Sequence, residues 1–134
     1  MKYAHRVLSA LCLGASLLVI CGAALAQVPV YDVTDAPVKS NKDPLTREDV
    51  GKAIVRGGVG LGWKIEPAGP GAMIGTLHLR THTAVVDIRY DTKSYSIKYK
   101  DSQNLNYAAG KIHKAYNGWI QNLDKAIGVQ LQLL

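Results

Sequence analysis

Apolar side chains recur with two different periods between residues 46 and 127, and each change of period marks an element. At the start of this stretch Thr46 has the chemistry of a helix N-cap. Asp49, three residues on, stands in for the glutamate of a capping box, and Glu48 and Asp49 both suit the positive end of a helix. The pattern predicts a first helix that buries Val50, Ala53 and Ile54. It is expected to stop at Gly57-Gly58, where a left-handed terminal residue is easiest for glycine.

The period then drops to two. Trp63 and Ile65 alternate with Lys64 and Glu66, and "PAGPG" at 67–71 turns the chain. In the next run Met73, Gly75, Leu77 and Leu79 share one side, with Ile74, Thr76, His78 and Arg80 on the other. After a "THT" bend, Ala84, Val86, Ile88 and Tyr90 oppose Val85, Asp87 and Arg89. "DTK" at 91–93 leads into "SYSIKYKD", where Tyr95, Ile97 and Tyr99 alternate with Ser94, Ser96, Lys98 and Lys100. A turn centred on Thr92-Lys93 pairs Tyr90 with Tyr95, Ile88 with Ile97 and Asp87 with Lys98. One register thus satisfies both faces of the hairpin.

The helical period returns at the C-terminal end. With Ile112 at zero, Ala115, Tyr116, Trp119, Ile120, Leu123, Ala126 and Ile127 fall with it in an arc of about 140°. His113 lies at the margin of that arc, and the large aromatics are read as core anchors. Gly110 and Gly118 weaken the helix, which suggests that another backbone approaches there. Two helices flanking four strands must cover one face of the sheet. The fold class expected is therefore α+β: a two-layer sandwich, α-β-β-β-β-α, whose four-stranded antiparallel meander carries the N- and C-terminal helices on one face.

The segment before this domain alters the picture. Lys2 and Arg6 precede an apolar run from Val7 to Leu25, and Ala24-Leu25-Ala26 fits a small-x-small cleavage site. Residues 1–26 are read as a signal peptide, which places the protein in the periplasm or outer envelope with no transmembrane span after processing. Both cysteines, Cys12 and Cys21, lie inside it, so disulfide, thiolate and zinc–sulfur chemistry leave with it. The alternative is a lipoprotein that begins at Cys21, but Ile20 stands where a small residue is wanted. Residues 27–44 hold Pro29, Pro37 and Pro44 amid polar residues with little periodicity, and are expected to form a disordered linker before a single domain at 45–134.

Of 16 lysines and arginines, Lys2 and Arg6 lie within 1–26, which leaves 14 against 10 acids and a net charge of +4. For an exported chain this excess favours anionic lipid, lipopolysaccharide or cell-wall polymer over nucleic acid as a partner. The sheet face that the helices leave open is expected to hold His78, Arg80, Arg89, Lys98 and Lys100 against Asp87. These five, with His113, are the candidate binding residues.

Catalytic chemistry finds less support. Asp101, Ser102, Tyr107 and His113 form an imaginable acid–base or acyl-transfer set, but no nucleophile elbow or glycine-rich oxyanion loop surrounds the serine. "DSQN" at 101–104 is equally the local backbone bonding of a strand end. His78 and His82 are four apart, but not on one helix face, and no metal site or cofactor is expected. "GGVGLG" at 57–62 follows a helix and precedes a strand, the reverse of a dinucleotide-binding turn.

The "YSIKYKDSQNL" and "IHKAYNGWIQNL" segments resemble a group of small proteobacterial exported proteins, labelled hypothetical proteins or lipoproteins, over roughly the first helix to Ile127. The resemblance implies a cell-envelope location and assigns no activity. Three functions are therefore open: a non-catalytic binding or accessory module, a small periplasmic hydrolase centred on His113, and a structural envelope protein acting through protein partners. The cleavage reading predicts a native exported chain that begins at Gln27. Intact-mass measurement checks it, and a diacylated chain starting at Cys21 would overturn it.

Overall fold

Thr46 opens the first helix as its sequence suggests. The computed structural model describes residues 27–134, and the signal-peptide and Cys21 readings lie outside them. In α1 (Arg47–Gly60) the Thr46 hydroxyl accepts from the Asp49 amide at 3.1 Å, and the Asp49 carboxylate accepts from the Thr46 amide at 3.0 Å. Lys42 Nζ reaches the same carboxylate at 2.6 Å. That contact first, then the Thr46 donors, holds the Asp49 carboxyl well below the usual carboxylate range.

The helix does not stop at Gly57-Gly58. It runs to Gly60, with Leu61 as its C-cap and Gly62 at φ +87° beyond. Gly57 and Gly58 are buried inside the helix for a different reason. A Cβ on Gly57 would lie 2.9 Å from the backbone nitrogen of Ile127, and one on Gly58 would lie 2.7 Å from the Ile65 side chain. Glycine is used here for close approach, not for termination.

Four strands follow: β3 (Lys64–Pro67), β4 (Ala72–Leu79), β5 (His82–Tyr90) and β6 (Ser94–Gln103). They pair antiparallel as a meander, and the β5–β6 register is the expected one: Tyr90 opposite Tyr95, Ile88 opposite Ile97 and Asp87 opposite Lys98. The register shifts between Val85 and Val86, so that Val86 faces Tyr99 and Val85 faces Asp101. Lys100 is the extra residue of this bulge, which increases local twist.

The expected linker is corrected. Residues 27–44 supply β1 (Gln27–Pro29) and β2 (Val33–Pro37). β2 pairs with β6, giving a five-stranded sheet in the order β2-β6-β5-β4-β3, and β1 pairs with β7 (Lys111–His113) in a separate two-stranded sheet. The sheet therefore has five strands, not four. β2 contributes Val33 to the core opposite Ile97, and its Pro37 is tolerated because it ends an edge strand. Asn117 binds the crossover between β1 and β2 with both amide atoms: Oδ1 accepts from the Tyr31 amide at 2.9 Å, and Nδ2 donates to the Pro29 carbonyl at 3.0 Å.

The second helix, α2 (Lys114–Gln132), begins after β7, and Gly110 sits at φ +75° in the preceding turn rather than in the helix. One apolar core joins the two helices to one face of the sheet. Val50, Ala53 and Ile54 meet Ala84, Val86, Ile88 and Ile97, with Ile112, Tyr116, Ile120, Leu123, Ile127 and Leu131 closing it. Each fully buried aliphatic side chain contributes roughly 1.5–3 kcal/mol. Tyr116 is the fully buried aromatic of α2, whereas Trp119, expected at the centre, is only partly buried at the margin. Leu79, expected inside, is 45% exposed at the end of β4.

Gly118 has nothing within 4 Å of the position its Cβ would take, so no backbone approaches it. The two helix glycines predict opposite outcomes. Gly57→Ala should destabilise by about 1–3 kcal/mol through forced separation of α1 and α2. Gly118→Ala should stabilise by up to about 1 kcal/mol through helix propensity. Denaturant midpoints of the two variants against the parent check both signs.

Candidate functional site

The histidine and tyrosines of 99–119 make contacts with their own neighbourhood. His113 is the N-cap of α2, where its Nδ1 accepts from the Ala115 amide at 3.2 Å and its own amide donates to the Leu105 carbonyl at 2.8 Å. Ser102 shares a hydrogen bond with the Tyr99 hydroxyl at 2.8 Å, and the Asp101 carboxylate accepts from the Ser102 amide at 2.8 Å. No hydrogen bond among the described residues links His113 to Asp101 or Ser102. The Tyr107 ring stacks on Tyr99 with centroids 4.0 Å apart, and Tyr99 meets Tyr116 edge-on at 5.7 Å. Burial first, then the Asp32 carboxylate and Tyr99, pushes the Tyr116 phenol well up, and its hydroxyl has no hydrogen-bond partner.

The two histidines weighed as metal ligands are also engaged locally. His78 Nδ1 lies 3.0 Å from the Thr83 hydroxyl, and His82 Nδ1 lies 2.8 Å from the Asn104 carbonyl. Among the described residues no group of three His, Cys, Asp or Glu is placed to hold a metal ion.

The sheet face turned away from the helices holds most of the expected cations. Arg89, Lys98 and Lys100 lie there with Lys64 from β3. Arg80 does not: it occupies the β4–β5 turn at φ +56°, beyond the end of β4. Lys100 Nζ pairs with Asp87 at 3.5 Å, and Lys64 pairs with Glu66 at 3.0 Å. Lys98, opposite Asp87 in the register, donates instead to the Thr34 hydroxyl of β2. Among the described residues Arg89 and Lys98 have no carboxylate within ion-pair distance.

At one end of this face a polar cleft of about 230 Å³ opens, where the β3–β4 and β5–β6 turns meet the start of α1. Asp35, Arg47, Arg89, Asp91 and Ser96 line it. Gly71 shapes its floor. At φ +67° its missing Cβ would lie 2.7 Å from the Tyr90 carbonyl, and the stem of Arg47 passes 3.6 Å away. Asp91 is fixed by the Lys93 and Ser94 amides, both donating to Oδ1 at 2.7 and 2.8 Å, and these bonds lower its pKa. Asp35, at φ +49°, donates its amide to the Ser96 hydroxyl at 2.9 Å. Arg47 and Asp35 were not candidates from sequence, because only the pairing of β2 with β6 brings Asp35 to Ser96.

No family model, curated protein or solved structure matches the chain.

The N-cap role predicts the behaviour of His113. His113→Ala should cost about 1 kcal/mol, and His113→Asn, which keeps an acceptor at the cap, should recover most of it. Thermal midpoints of the two variants check this. Equal losses for both would show that the cap bond contributes nothing.

Proposed function

We propose that the protein is a non-catalytic binding or accessory module of the cell envelope, which uses the open face of its sheet to hold anionic lipid, lipopolysaccharide or cell-wall polymer. The observation that carries this reading is the pair Arg89 and Lys98, on neighbouring strands of the open face and without a carboxylate partner among the described residues. Their charge is available to an outside anion, whereas Lys100 and Lys64 spend part of theirs on Asp87 and Glu66. The signal-like residues 1–26 and the resemblance to exported proteins support the envelope location. Among the described residues no helix is long and apolar enough to cross a membrane.

Binding through exposed cations is screened over about 8 Å at physiological ionic strength. The purified protein should therefore sediment with phosphatidylglycerol vesicles at low salt and be released at moderate salt. Lys98→Glu with Lys100→Glu reverses charge on two side chains outside the core and should abolish sedimentation while leaving the unfolding free energy within about 0.5 kcal/mol of the parent. Equal sedimentation of parent and double variant would remove the sheet face as the site.

A further inference from the structure

The cleft at the sheet end is lined by two residues of each charge, and no two of opposite sign form an ion pair with each other. Arg47 and Arg89 make no ion pair with Asp35 or Asp91 within the 4.0 Å that defines one, although all four line the same 230 Å³. All four residues are exposed, so charge of both signs is accessible at the cleft. We propose that this cleft binds a small zwitterion of amino-acid size, its carboxylate on Arg47 and Arg89 and its ammonium on Asp35 and Asp91.

The pattern of charge selects the ligand class. A simple anion would gain the two guanidinium groups but face both carboxylates, and a simple cation would meet the reverse. A ligand that carries both signs is favoured by all four. Arginine suits the carboxylate end because its planar fork donates two parallel hydrogen bonds to one carboxylate. The acids are held in advance of binding: Asp91 keeps Oδ1 on the Lys93 and Ser94 amides, which leaves Oδ2 for a ligand, and the Ser96 hydroxyl donates to Asp35 Oδ1 at 3.4 Å. The size agrees as well, since a cleft of about 230 Å³ has room for far more than a single water molecule. That accommodates alanine, serine or a similarly small zwitterion.

The cleft shares only Arg89 with the sheet-face reading, so the two are tested apart. Titrating the isotope-labelled purified protein with L-alanine should shift the backbone amides of Arg89, Asp91, Ser94 and Ser96 in a saturable manner. Acetate and methylammonium, each carrying one sign, should bind at least about tenfold more weakly, a difference of ~1.4 kcal/mol. Arg47→Gln and Asp35→Asn should each weaken alanine binding by a similar factor, with dispersed spectra elsewhere showing that the fold is kept. Lys98→Glu with Lys100→Glu, which disables the sheet face, should leave alanine binding unchanged. Absence of saturable shifts, equal binding of acetate, or indifference to Arg47→Gln in a folded protein would each overturn the proposal. Vesicle binding without alanine binding would leave the sheet-face reading standing alone, and the converse would leave only the cleft.

Discussion

Over the sheet, α1 comes so close to α2 that one position between their backbones has no room for a side chain, and that position is Gly57. Its hydrogen points at the peptide between Ala126 and Ile127, where a methyl group would have 2.9–3.1 Å to the nearest backbone atoms. The next glycine of α1, Gly58, lies against Ile65 of β3. Gly75 on β4 leaves space on the other side, since a Cβ there would lie 3.2 Å from Ile65 and 3.4 Å from the Trp63 ring. Trp63 and Ile65 fill the volume that Gly58 and Gly75 vacate. This is the pairing of large with small residues that a close-packed interior needs. The approach of α1 to α2 thus rests on Gly57, and the seats of Trp63 and Ile65 on Gly58 and Gly75.

The parts of the fold that were legible in the sequence are those set by local pattern. Thr46 and Asp49 stand three apart and found each other as a capping box. The β5–β6 register could be read because alternation on both strands allows only one pairing that keeps Ile88 with Ile97. The N-terminal strands were illegible for the opposite reason. Of Val33–Pro37 only Val33 is buried, so no alternation marks the strand, and its partners Tyr95 and Ile97 lie about sixty residues away in the chain. Gly57-Gly58 was misread because one residue type serves two purposes, ending a helix and admitting a neighbour, and only the packing distinguishes them.

The same division explains the sites. His113, Tyr107 and Trp119 drew attention because chemically versatile side chains stand close in sequence, but His113 Nδ1 caps α2, the Tyr107 ring stacks on Tyr99 and Trp119 packs at the edge of the core. Arg89, Lys98 and Lys100 were found because they alternate with core residues. Arg80 was misplaced by one residue, since alternation does not announce where a strand gives way to its turn. Asp35 and Arg47, twelve residues apart and in elements of different kind, converge only through the tertiary pairing of β2 with β6 and the seat of α1. Charge that gathers in this way leaves no mark on the linear sequence.

The Asn117 clamp has a bearing on how the chain folds. Its bonds to Pro29 and Tyr31 close loops of 88 and 86 residues, and the Asp35–Ser96 bond closes one of 61. Contacts so distant along the chain carry a large closure entropy and form after the local hairpins. A chain made from its N-terminus onward therefore releases β1 and β2 first and docks them last, when β6, β7 and α2 have been completed. Until then the β6 edge that β2 covers is an open strand, available to any other extended segment. The interval between synthesis of the first strand and its docking is thus the period in which this protein is most exposed to mispairing with another copy of itself.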